Sequence, residues 1–204
     1  MTAVTPEPLT ADAIVIGTSA GGVEALSLLL PALPGSYQGA VFVVLHIPRE
    51  RPSLLVEIFG PKCALHVREA EDKEPVAPGT IYFAPPDYHL LIDEGPELAL
   101  SADEPVNFSR PSIDVLFESA ADVYGPALLG IILTGASSDG ARGLEMVHAR
   151  GGVTIVQNPA TAQSSVMVDA ALRRAPGHQV MHLTDLAERL RTVRVRPGTA
   201  GEGV

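Results

Sequence analysis

Three short segments of this 204-residue chain carry side chains that could do chemistry together: Gly17-Thr18-Ser19-Ala20-Gly21-Gly22, Leu45-His46-Ile47-Pro48 and Thr134-Gly135-Ala136-Ser137-Ser138-Asp139-Gly140. The first matches G-x-S-x-G. Its glycines permit a sharp strand-to-helix turn that exposes the serine hydroxyl and leaves helix-start N–H groups for a developing oxyanion. The same glycine-rich turn would also suit phosphate binding, or tight packing of a helix onto a sheet. His46 offers a general base, although a histidine at a strand end also serves as a packing or capping group. Asp139 offers a carboxylate to orient the imidazole, although an Asp opening a helix is also a favoured N-cap. Taken jointly, the three specify acyl-transfer chemistry: Ser19 as nucleophile, His46 to take and return its proton, and Asp139 to hold the imidazole tautomer. The chain order Ser, His, Asp differs from the Ser, Asp, His order of α/β-hydrolases, so the motif does not import that fold.

These residues need elements to position them. Short β-rich apolar runs at Ala13–Ile16, Val41–Leu45, Thr80–Ala84, Leu128–Leu133 and Val153–Val156 alternate with segments of helical period. The helical segments are Val23–Leu33, Pro52–Phe59, Ile113–Tyr124, Gly140–Arg150 and Val166–Arg174, with the Gly151-Gly152 pair stopping one of them. Such alternation predicts a doubly wound, mostly parallel α/β sheet of Rossmann-like type in a single domain. One antiparallel hairpin is expected where His89–Asp93 and Glu97–Leu100 flank Glu94-Gly95-Pro96. In such sheets ligands bind where loops leave the carboxyl ends of the strands, which is where Ser19, His46 and Asp139 all fall. Residues 1–11 and 193–204, rich in proline, glycine and small residues, read as flexible tails around a domain spanning 12–192.

Composition narrows the function. Fourteen Lys and Arg against 24 Asp and Glu give a net charge of -10, which repels nucleic-acid phosphates and argues against nucleic acid as a partner. No apolar run reaches the length of a membrane span, so membrane insertion is not expected. Cys63 is the only cysteine and the six histidines are scattered, so neither an internal disulfide nor a clustered zinc site is indicated. A reducing cytoplasm and chemistry without metal or organic cofactor follow as expectations.

A wider set of motifs resembles the catalytic domain of the bacterial chemotaxis protein-glutamate methylesterase and glutamine deamidase family. The resemblance runs from about Asp12 to Leu190. Its carriers are Ile16-Gly17-Thr18-Ser19-Ala20-Gly21-Gly22, Leu45-His46-Ile47-Pro48, Val67-Arg68-Glu69-Ala70, Pro78-Gly79-Thr80-Ile81-Tyr82-Phe83-Ala84-Pro85, Arg110-Pro111-Ser112-Ile113-Asp114 and Leu133-Thr134-Gly135, followed by Asp139-Gly140. The resemblance implies hydrolysis of methyl esters on glutamate side chains of chemoreceptor helices, and in some members conversion of receptor glutamine to glutamate. It places nucleophile, base and acid on Ser19, His46 and Asp139, and oxyanion donors on the backbone N–H groups of Ala20 or Gly21 and Ala136.

Departures from the family pattern are Ala20 where Thr is common, Ala136 where Met is common, and Met167-Val168 where Met-Pro is usual. The family's chemotaxis members carry an N-terminal phosphoacceptor domain, whereas eleven residues precede the domain here. Regulation is therefore expected from a separate receiver or sensor kinase protein, or the enzyme is constitutive. Arg110 is a candidate for binding a substrate carboxylate or for a structural ion pair. His89 reads as a hydrogen-bonded strand histidine and Cys63 as core. Two rivals stay open: a non-catalytic receptor-docking module, and a dinucleotide-binding protein, in which Ser19 would stand at the second glycine of G-x-G-x-x-G and His46 where the ribose-binding acid belongs.

Overall fold

The computed structural model describes residues 8–47 and 53–197. Nearly continuous apolar runs become strands buried on both faces, as expected for a sheet covered by helices on both sides. In chain order the elements are β1 (Ala13–Thr18), α1 (Gly22–Leu29), β2 (Ala40–Leu45), α2 (Leu55–Phe59), β3 (His66–Glu69), β4 (Thr80–Phe83), β5 (His89–Asp93), β6 (Glu97–Ser101), α3 (Ile113–Tyr124), β7 (Leu128–Ile132), α4 (Ala141–Ala149), β8 (Val153–Gln157), α5 (Val166–Arg174), β9 (Gln179–Met181) and α6 (Leu183–Leu190). Seven strands form one sheet in the order β3-β4-β2-β1-β7-β8-β9, with every pairing parallel, while β5 and β6 form a separate antiparallel pair.

Strand alternation splits the core in two. Ile14, Ile16, Val41 and Val43 face α1, α2 and α6 through Leu26, Leu29, Phe59, Leu186 and Leu190. Ala13, Val15, Phe42 and Val44 face the opposite way, onto α3, α4, α5 and the hairpin, through Leu116, Phe117, Leu144, Met167, Leu90 and Leu98. From β1 the chain winds outward through β2, then returns to the other side of β1 as β7, so winding reverses between β1 and β7. At such a switch point the loops diverge and leave a crevice at the strands' carboxyl ends.

The expected strands and the hairpin are present, as a doubly wound parallel sheet in a single domain. Three elements escaped the sequence reading. The short strands β3 and β9 lie at the two edges, where His66, Gln179 and Val180 are exposed, so neither shows a buried run. The third, α6, buries Leu186, Ala187 and Leu190 and packs the partly buried Leu183 against the core, on a helix whose other residues are polar. The expected helix Val23–Leu33 ends as α1 at Leu29 and continues as a 3-10 turn over Leu30–Ala32, because Pro31 has no N–H to extend the α ladder. The segment expected to form a helix from Pro52 forms one from Leu55 to Phe59, and Pro52 itself lies outside the described residues.

Folded contacts also run past both expected domain limits. Leu9 and Val193 are buried, Thr10 bridges Arg194, Ala11 N–H donates to the Arg194 carbonyl, and Arg194 N–H donates to the Leu9 carbonyl. The expected tails therefore shorten; proline-rich and charged composition masked two apolar side chains that complete the core. Residues 1–7 and 198–204 of those tails lie outside the described residues. Among the described residues no helix is long and apolar enough to cross a membrane.

Candidate active site

Pairing of β1 with β2 sets Thr18 opposite Leu45, so the next residues, Ser19 and His46, leave neighbouring strands side by side. His46 N–H donates to the Thr18 carbonyl at 3.1 Å, and Ser19 N–H donates to the Thr134 carbonyl at 3.0 Å, tying in the loop after β7. Thr134 binds that loop to the serine turn a second time: its hydroxyl donates to the Ala20 carbonyl at 2.9 Å, and its carbonyl accepts from the Thr18 hydroxyl at 2.8 Å. Ser19 is not among the residues at positive φ; the left-handed residue of the turn is Gly21, at φ 80°. A side chain at Gly21 would also collide with Gln163.

At the carboxyl end of β2, His46 Nε2 lies 3.0 Å from Asp139 Oδ2, with 14% of the histidine side chain exposed and none of the aspartate's. An ionised carboxylate only accepts hydrogen bonds, so Nε2 carries a proton, and in the neutral ring Nδ1 then keeps its lone pair, which is the tautomer a general base needs. Among the described residues neither His46 Nδ1 nor the Ser19 hydroxyl has a hydrogen-bond partner, so both are available for substrate and for each other.

Asp139 does cap a helix, but not its own. Helix α4 opens at Gly140 without a side-chain cap, whereas the Asp139 carboxylate accepts from the N–H groups of Ile113 (2.6 Å) and Asp114 (3.3 Å), the first residues of α3. It also accepts from the Ser112 hydroxyl (2.8 Å) and Asn107 Nδ2 (3.0 Å). Burial alone would raise its pKa, but hydrogen bonds from His46, Asn107 and the Ile113 N–H outweigh it and hold the carboxyl below the usual range. The neighbouring Asp114, bridged to Asp139 through Asn107 Nδ2, shifts the other way: burial and the Asp139 charge raise it despite a 2.7 Å bond from the Gly143 N–H.

The CheB methylesterase family model matches residues 14–190. The chain belongs to the CheB methylesterase family. A Leptospira interrogans protein named "Putative protein-glutamate methylesterase/protein-glutamine glutaminase" is 44% identical over 177 residues, which cover 87% of this chain and 92% of that one. A Bordetella parapertussis protein-glutamate methylesterase/protein-glutamine glutaminase is 37% identical over 88% of this chain, and the match spans about half of that longer protein (52%). The crystal structure of the Thermotoga maritima CheB methylesterase catalytic domain superposes with a TM-score of 0.82 at 30% identity, covering 90% of this chain and 98% of that one.

Against this family background the remaining candidates sort by their contacts. The backbone N–H groups of Ala20, Gly21 and Ala136 have no partner among the described residues. Gly135 lets Ser19 and Met167 approach the acid loop: a side chain there would meet Met167 at 2.6 Å and the Ser19 Cβ at 3.0 Å. Arg110 donates through Nε and Nη2 to Asp87 Oδ1 and through Nη1 to the carbonyls of Ala102 and Asp103, leaving 17% of its side chain exposed beside a recess of about 140 Å³ that includes His46. His89 is buried, accepting from the Ser112 N–H and lying 3.2 Å from the Glu104 carbonyl. Cys63 is half-buried, with burial raising its thiol pKa, which disfavours a thiolate nucleophile. Asn107 and Ser112 escaped the sequence reading as site residues, because their roles depend on the fold bringing the 107–112 segment onto Asp139. The quoted Arg110-Pro111-Ser112-Ile113-Asp114 motif was the available signal.

Proposed function

We propose that this chain is a cytoplasmic serine hydrolase that removes methyl esters from glutamate side chains of chemoreceptors, using Ser19, His46 and Asp139. The 3.0 Å His46–Asp139 hydrogen bond, one strand over from an unbonded Ser19 hydroxyl, carries this reading. Ser19 Oγ attacks the ester carbonyl while His46 Nδ1 takes its proton, and the ionised Asp139 stabilises the imidazolium. Negative charge on the former carbonyl oxygen is met by the N–H groups of Ala20 or Gly21 and Ala136. Collapse breaks the C–O bond, His46 returns its proton to the leaving methoxide, and methanol departs from an acyl-enzyme on Ser19. Water, deprotonated by His46, then cleaves the acyl bond and restores the free glutamate and the serine hydroxyl.

The same acyl-enzyme forms from a glutamine side chain with ammonia as leaving group, in keeping with the double activity in the relatives' names. A dinucleotide site is disfavoured, since β2 ends in His46, already bonded to Asp139, where an acidic residue would have to hold a ribose. The unpaired Cys63 suits the cytoplasm.

Methanol release from a methylated chemoreceptor cytoplasmic fragment tests the reading. Wild type releases methanol, and Ser19→Ala or His46→Ala loses roughly a thousandfold or more in kcat at equal folded concentration. Full release by Ser19→Ala would overturn the assignment.

A further inference from the structure

Of the large apolar side chains exposed among the described residues, Phe108 stands apart at 100% exposure; the next, Leu54, reaches 54%. Its backbone is unusual as well. Val106 and Ser109 exchange N–H···O bonds of 3.1 and 2.9 Å across a two-residue turn whose central residues, Asn107 and Phe108, both lie at positive φ (50° and 61°). Asn adopts that conformation readily, but a bulky aromatic does so rarely. The turn is anchored from beneath, because Asn107 Nδ2 donates to both Asp139 and Asp114. Phe108 is thus presented to solvent from a turn fixed to the orienting carboxylate.

Phe108 lines two recesses. One, about 140 Å³, runs to His46 and Ile47, and the other, about 430 Å³, runs to Ala136 and Ser137. Phe108 and Ser109 are the residues that both share. Phe108 thus lines both the recess that holds His46 and the recess that holds Ala136. The nearby cation is largely committed elsewhere, since four of the five N–H groups of Arg110 are bonded to Asp87 or to the Ala102 and Asp103 carbonyls.

We propose that Phe108 is a specificity-determining residue that docks an apolar side chain of the substrate protein next to the ester-bearing glutamate. The proposal rests on the esterase reading above. A neutral methyl ester gives the enzyme no charge to grip, and an exposed ring at the cleft rim supplies contact area that the ester group itself lacks. Its effect falls on binding of the protein substrate, not on bond breaking.

The test compares kcat/KM for a methylated receptor fragment with that for N-acetylglutamate γ-methyl ester, which has no neighbouring side chains. Phe108→Ala and Phe108→Asn lower the ratio of the two at least tenfold, mainly through KM for the fragment. The Asn variant keeps a residue that accepts positive φ, so equal losses in both variants exclude a backbone cause. Phe108→Leu restores the ratio to within about threefold of wild type. An unchanged ratio in Phe108→Ala, or a loss only in variants that disfavour positive φ, overturns the docking role while leaving the esterase reading intact. A wild type inactive on both esters overturns the esterase reading, and the docking role with it.

Discussion

At the scale of single residues, the Asp139 carboxylate carries the most information, because five groups converge on it and four belong to the 107–114 segment. Asp139→Asn removes the ion and turns one acceptor into a donor facing donors, so kcat is expected to fall roughly ten-thousandfold and stability by roughly 2–4 kcal/mol near neutral pH. The pH dependence has a definite sign. A carboxyl held below its ordinary value stabilises the fold above the unfolded pKa of about 4, and that contribution is lost as pH falls through the lower folded value. Urea midpoints should therefore show the gap between wild type and Asp139→Asn at full size near pH 6 and shrinking below pH 4. Asn107→Ala should lower kcat roughly 10- to 100-fold with the triad intact, since it releases the bond that orients both Asp139 and Asp114.

At the scale of elements, the loop after β7 is the joint between nucleophile and acid, and Gly135 is its tightest point. Gly135→Ala is expected to displace Met167 or Ser19, costing about 1–3 kcal/mol and most of the activity, read by thermal melts alongside methanol release. This joint also shows what a sequence reading can reach. Ser19 and His46 were visible because each directly follows a buried apolar run, and Asp139 because it lies in the loop after another, and a parallel sheet aligns the ends of such runs. Helix α3 was visible through its apolar face. That its first N–H groups point at Asp139 was not, because the contact depends on how α3 packs beside α4. Edge strands β3 and β9 and the largely polar α6 were missed for a related reason: one buried side or less leaves too few apolar residues to set a period. Ser112 and Asn107 differ again, since a side chain that acts by holding another group has no pattern of its own along the chain.

For the molecule as a whole, the two ends of the domain are stitched together where the Leu9–Ala11 backbone meets Arg194. Leu9→Ala should cost about 2–4 kcal/mol, a loss a dangling tail could not produce, and chemical denaturation followed by far-UV circular dichroism would measure it. Because the site is shared among β1, β2, β7 and the start of α3, activity and secondary structure should be lost in one coincident transition; activity vanishing well before the sheet would show a separately melting site. The reversal of winding between β1 and β7 also bears on time. Ser19 and His46 leave the ribosome before Asp139, with 93 positions separating His46 from the carboxylate, and until β7 arrives one flank of β1 has no neighbour. A chain in synthesis therefore carries its serine and histidine for much of its length without the carboxylate that turns them into an esterase, and hydrolytic power appears only once most of the domain has been made.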